Sequence, residues 1–216
     1  MDILDLYDWD FCQIQLNYMD TNFQQGIKGY FDLEKRGIPV LVMEPIKGGK
    51  LASFNKKIET IFKEYSSASI ASWALRWVGS LPNVKVVLSG MNEMDQLVDN
   101  LNTFSDFKPL TDKEFDKVEE VKNALNSVIA VDCTNCKYCI PCKVNIDIPG
   151  YFKIFNDYLM YENEGSSLWQ YKNLIRNSNE LTECIECNIC VPKCPQMIDI
   201  PNELARMSGE LSFLKK

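Results

Sequence analysis

Eight of the nine cysteines lie between Cys133 and Cys194, and the first 132 residues hold only Cys12. Their spacing repeats. Cys133, Cys136, Cys139 and Cys142 are followed by Ile146-Asp147-Ile148-Pro149. Cys184, Cys187, Cys190 and Cys194 are followed by Ile198-Asp199-Ile200-Pro201. The two copies run in register apart from one residue fewer before Cys142. Three thiolates two residues apart wrap a tight loop around three irons of a cubane, and a fourth cysteine, displaced by a turn, completes a set. Other cysteine chemistry fits poorly. A reducing compartment does not concentrate thiols in one segment for disulfides. Zinc sites use paired C-x2-C knuckles with four ligands per ion, whereas each copy here is a triplet plus one. The spacing predicts two [4Fe–4S] clusters. Cys12 reads as a small apolar residue behind a strand.

The second copy, C-x2-C-x2-C-x3-C with Pro195 after it, resembles the bacterial ferredoxin run, in which the fourth cysteine ligates the other cluster. That resemblance implies one set of Cys133, Cys136, Cys139 and Cys194, and another of Cys184, Cys187, Cys190 and Cys142. The first copy departs from the run, with two residues before Cys142 and Lys143 after it. Pro149 and Pro201 each stand where a helix can begin, at N1. The helices expected are 150–161, 167–175 and 202–207, so the module looks like a small all-α ferredoxin rather than the β-rich type.

The elements ahead of the cysteines alternate. Phe11 to Asn17 has period two, with Cys12, Ile14 and Leu16 on one face and Gln13, Gln15 and Asn17 on the other. A helix over 23–35 closes at Gly37. A second strand covers 38–43, with Pro39 at its start. After the loop Glu44 to Gly49 come a short helix over 58–65 and a longer one through Ala71, Leu75 and Val78, capped by Ser66-Ser67. Val84 to Leu88, β-branched and apolar, reads as a buried parallel strand. Helix 94–104 follows, then a capping box at Thr111–Glu114 opening a helix to about 125. Strand–helix alternation of this kind predicts βα units on a parallel sheet. Composition shifts to cysteine and proline past Ala130, which divides the chain into domains 1–130 and 131–216.

Residues 1–126 resemble the aldo-keto reductase superfamily, in its branch with a C-terminal [4Fe–4S] domain. The resemblance rests on Gln13 to Asn17, Met43 to Leu51, Ala74-Leu75-Arg76-Trp77, and Gly90 through Gln96 to Asn100. It implies an α/β fold, the last three βα units of a (β/α)8 barrel. It also implies NAD(P)H as hydride donor to a carbonyl. Gln13 falls where the family holds the nicotinamide carboxamide, and Met43 where many members stack an aromatic ring. Lys47, Gly48 and Gly49 fall in the loop that approaches the pyrophosphate, and Gly90, Asn92, Gln96 and Asn100 at the adenosine end. Positions that often carry Arg or Lys for a 2′-phosphate hold Gly90 and Gln96, so NAD and NADP both stay open. The family's catalytic Asp, Tyr, Lys and His belong to the first half of the barrel, and this chain has no histidine. The resemblance therefore implies no catalytic residue here, and a chain inactive alone until it is joined by the N-terminal barrel half or a second chain.

A net charge of −7 argues against a nucleic-acid surface. No apolar run reaches a membrane span, and the N-terminus lacks a signal-peptide pattern, so the expected location is the cytoplasm. The function expected is that of an iron–sulfur oxidoreductase: part of a carbonyl reductase with a two-cluster module serving an unidentified redox partner. The alternative is a free-standing electron-carrier or docking subunit.

Overall fold

The computed structural model describes residues 2–211. The chain divides into two compact units, Met1–Ala124 and Leu125–Lys216.

The first unit is built on three short strands, β1 (Cys12–Gln15), β2 (Val40–Met43) and β3 (Val84–Val87). They lie in the order β1-β2-β3 and all pair parallel. Cys12 stands opposite Val40 and Gln15 opposite Met43. The β2–β3 ladder has an irregularity between Val40 and Leu41. Helix α1 (Gly26–Lys35) crosses from β1 to β2. It ends in a Schellman arrangement, with Gly37 at φ 70° and amide bonds from Gly37 to the Glu34 carbonyl and from Ile38 to the Leu33 carbonyl. Helices α2 (Lys56–Lys63) and α3 (Ile70–Gly79) cross from β2 to β3. Phe62 stacks on Trp73 between them, ring centroids 4.3 Å apart. The core gathers Ile14, Leu16, Val40 and Val42 from the strand side with Tyr30, Leu33, Phe62, Trp73 and Leu75 from the helices. Tyr30 ties α1 to the start of β3: its hydroxyl donates to Glu34 and accepts from the Asn83 amide. Burial, then the Glu34 carboxylate, push its phenol up to about 12.

Three expectations need correction. Helix α3 is capped by Ser69, whose hydroxyl accepts from the Ser72 amide at 3.0 Å, rather than by Ser66-Ser67. Strand β3 is not buried: Val86 is 41% exposed, because β3 is a rim of the sheet and no described strand pairs beyond it. Asn17 does not share the polar face of Gln13 and Gln15. The strand ends at Gln15, and Asn17 is buried at 1% exposure in the turn that follows.

Helix α4 (Met94–Ser105) buries none of its residues. Helix α5 (Asp112–Ser127) opens on the expected capping box: the Thr111 amide reaches Glu114 at 2.8 Å and the Glu114 amide reaches the Thr111 hydroxyl at 3.4 Å. Glu114 also receives Arg76 from α3 at 2.7 Å. Burial pushes its carboxyl up, but the bonds from Arg76 and Thr111 outweigh burial and hold it below the usual carboxylate range.

In the second unit, α6 (Ile148–Tyr161), α7 (Glu164–Leu174) and α8 (Ile200–Glu210) surround a core of Tyr151, Phe152, Phe155, Leu181, Ile200, Leu204 and Met207. α6 and α8 begin one residue before Pro149 and Pro201, so each proline is the second helical residue, where its absent N–H also goes unused. Among the described residues no helix is long and apolar enough to cross a membrane.

Candidate metal centre

The sequence repeat is also a repeat of backbone conformation. Left-handed φ values occur at Asn135, Lys137 and Asn145 in the first copy, and at Glu186, Asn188 and Met197 in the second. These positions correspond residue for residue around the cysteines. Asparagine tolerates this region; lysine, glutamate and methionine enter it at a cost of order 1 kcal/mol each, and such residues persist where their surroundings over-determine them. The hydrogen bonds repeat as well. The Asn145 amide donates to the Cys142 carbonyl and the Met197 amide to the Cys194 carbonyl, both at 3.0 Å. The Ile148 amide reaches Ile146 at 3.0 Å and the Ile200 amide reaches Ile198 at 2.9 Å. The copies part where the first is one residue shorter, the Ile140–Pro141 peptide being cis while Val191–Lys193 forms a 3-10 turn, and at the helix caps, where Asp147 accepts from the Gly150 amide and Asp199 makes no side-chain cap bond.

The loops are held from outside by side chains that periodicity does not reveal. Asn156, on α6, accepts from the Ala130 and Val131 amides at 3.1 Å and donates back to the Val131 carbonyl at 2.7 Å, which fixes the chain entering Cys133. The Ser178 hydroxyl receives the Asp147 amide at 2.8 Å. Asp147 in turn caps α6 through the Gly150 amide. No spacing rule relates Asn156 or Ser178 to the cysteines.

Cys133, Cys136, Cys139 and Cys194 line one cavity, walled on its apolar side by Pro149, Phe152, Ile198 and Ile200. Three of these thiols thus come from the first copy and one from the second. The complementary grouping shows in the electrostatics around Cys190. Burial pushes that thiol up, and Cys142, Cys184 and Cys187 add to the push. Burial likewise raises Cys133, with Cys136 and Cys194 beside it. It carries Cys139 to about 11, with Cys133, Cys136 and Cys190 adding. Cys136 and Cys187, the middle members of each triplet, are exposed, and the other six are half-buried. Among the described residues no three of His, Cys, Asp or Glu gather tightly enough for a single metal ion. Four soft sulfur donors lining one apolar-walled cavity are the donor set a cubane takes, one thiolate at each of four irons.

The residues assigned to nucleotide binding fall in two groups. Gln13 and Met43 lie on the same face of the sheet, and the Gln13 Nε2 donates to the Met43 Sδ at 3.1 Å. Beyond β2, Glu44, Lys47, Gly48 and Gly49 all take left-handed φ values. That loop is pinned by Asn17, which donates to the Glu44 carbonyl and to Asp20, each at 3.1 Å, and accepts from the Met19 and Asp20 amides. Lys47 pairs with Asp20, so its ammonium is already engaged. Asp20 escaped the sequence reading; the Asn-x-x-Asp spacing is a turn signal, but nothing in it points to a lysine 27 residues away. The second group follows β3. The Asn92 amide donates to Gln96 at 3.1 Å, and Asn100 donates to Ser89 at 3.0 Å. Gly90 has open space where a side chain would stand.

The family model described as the aldo/keto reductase family matches residues 3–123, more than half of the 216 residues. This chain belongs to the aldo/keto reductase family. A second family model, a 4Fe-4S dicluster domain, matches residues 132–199, the span that contains all eight clustered cysteines. Comparison with curated proteins and with solved structures found no match. The chain is thus an iron–sulfur member of an oxidoreductase family, with the reductase segment first and the dicluster domain after it.

Proposed function

We propose that the complete protein is an NAD(P)H-dependent carbonyl reductase, to which this chain contributes the last three βα units of the barrel and a two-cluster module. The observation that carries the iron–sulfur half is the cavity shared by Cys133, Cys136, Cys139 and Cys194, three thiols from one copy of the repeat and one from the other. In this reading that set holds one [4Fe–4S] cluster, and Cys184, Cys187, Cys190 and Cys142 hold the second. When bound, the clusters supply one-electron transfer and the nicotinamide supplies a hydride. The protein's own part is ligation, burial by Phe152, Ile198 and Ile200, and a fixed loop backbone.

The nucleotide half rests on family membership together with the side-by-side placement of Gln13 and Met43 and the turn after β2. Gln13 offers an amide to the carboxamide of the nicotinamide, and Met43 a thioether to its ring. Gly48 and Gly49 let backbone approach the pyrophosphate, with Lys47 adding charge only as far as Asp20 releases it. Gly90, Asn92, Gln96 and Asn100 face the adenosine end. The family's catalytic residues lie on other strands, so the N-terminal barrel half, in the same polypeptide or in a second chain, completes the site and covers the rims β1 and β3. A cluster passes one electron and a nicotinamide two, so a further redox partner is needed if they are to exchange.

Kinetics on the chain with and without the remaining barrel strands test this. The chain alone is expected to reduce no carbonyl with NADH or NADPH. Adding the strands, fused or in trans, restores nucleotide binding first and turnover second. Carbonyl reduction by the isolated 216-residue chain would overturn the proposal. An iron-loaded chain that gains no nucleotide affinity from the added strands would favour an electron carrier instead.

A further inference from the structure

The two halves of the dicluster module share a backbone and differ in charge. Resting on the ligand sets proposed above, we propose that Lys137 and Glu186 make the cluster of Cys133, Cys136, Cys139 and Cys194 the more easily reduced of the two.

The repeat works as an internal control. The residue just before the second cysteine is Asn135 in one copy and Glu186 in the other, at φ 55° and 49°. The residue just after it is Lys137 in one copy and Asn188 in the other, at φ 65° and 58°. Backbone shape is matched at both positions, so charge is what changes. The other charges that flank the cysteines in sequence balance. Asp132 precedes Cys133 and Glu183 precedes Cys184. On the fourth cysteines, Lys193 precedes Cys194 and Lys143 follows Cys142, giving each ligand set one lysine. Among the residues that flank the cysteines, what is left over is a cation in the first triplet and an anion in the second; Asp147, Lys153 and Asp157 also line a pocket with Cys133 and Lys137. Lys137 also lines the cavity of the first set.

Reduction takes each cluster from the 2+ to the 1+ core by one electron, with no bond broken and no proton required. The added negative charge is favoured beside an ammonium and opposed beside a carboxylate. Both side chains are exposed, so solvent and salt scale the effect down without changing its sign. With both clusters bound, an electron given to the second would run downhill to the first.

A dithionite titration of the anaerobic full chain, followed by EPR of the reduced clusters, tests the inference. Iron and sulfide are measured on each sample. The wild type should show two midpoint potentials, and Cys194→Ser should remove the signal that appears first on reduction. Lys137→Gln should lower the higher midpoint and Glu186→Gln should raise the lower one. Lys137→Arg should leave both unchanged. The charge swap Lys137→Glu with Glu186→Lys should reverse the order. Fully loaded wild type whose clusters titrate together, or loaded variants that shift the opposite way or not at all, would overturn it. Wild type without iron would instead remove the cluster reading on which it rests.

Discussion

Cys194 distinguishes a crossed ligand set from a local one. It lies four residues from Cys190 along the chain, yet lines the cavity of Cys133, Cys136 and Cys139. Cys194→Ser is expected to leave about four irons per chain, with the cluster of Cys184, Cys187 and Cys190 spectroscopically intact. The dicluster domain over residues 132–199 was legible because the cysteine spacing repeats along the chain. Asn156 and Asp20 were not, because each acts on a segment about 26 residues away, across a contact that only folding creates. Arg76 lies between these cases: its segment helped place the family, while its partner Glu114 emerged only from the fold. Arg76→Ala should cost about 2 kcal/mol at neutral pH, the usual worth of a hydrogen bond to a charged group at a mostly buried site. The sign with pH follows from the lowered Glu114 carboxyl. A depressed folded value gives stability that is present above the unfolded value, near 4.3, and lost as pH falls through the folded one. The penalty of the substitution should therefore shrink below about pH 4. Urea unfolding of wild type and variant at neutral and acid pH, followed by the fluorescence of the chain's four tryptophans, Trp73 and Trp77 among them, measures it.

Short strands joined by helices were visible in the period-two and helical patterns, and every predicted strand exists within a few residues. The patterns do not say which strand is a rim. Val84 to Leu88 has the composition of a buried parallel strand, but among the described residues β3 pairs with β2 alone, and its valines stay partly exposed. The α3 cap was misplaced because Ser66, Ser67 and Ser69 are interchangeable by propensity, and only Ser69 stands where its hydroxyl meets an amide of the first turn. One element boundary depends on a single glycine. Gly26 opens α1 at φ 54°, and a β-carbon there would come within 2.3 Å of the Thr21 carbonyl oxygen, a backbone atom that cannot step aside. Gly26→Ala should destabilise the first unit by about 2 kcal/mol or more, despite alanine's better helix propensity. A Gly26→Ala melt matching wild type would contradict this packing.

Over the whole chain, the two units owe their stability to different causes. The first buries an aromatic and aliphatic core around Phe62 and Trp73. In the second, six cysteines pack half-buried against the core of α6 and α8, and six non-glycine residues of the cysteine loops hold left-handed conformations. Metal binding in such a module is folding free energy. Stripping iron anaerobically with a chelator should therefore open residues 125–216 to limited proteolysis and leave the cleavage of residues 1–124 as it was. Equal sensitivity of both segments before and after chelation would refute that division. The account as a whole rests on the cysteines holding two cubanes. Its most direct test is the iron and acid-labile sulfide content of the anaerobically purified chain. About eight of each per chain, with a brown colour that bleaches on reduction, is the result expected. Stoichiometric zinc, with neither iron nor sulfide after anaerobic reconstitution, would contradict it.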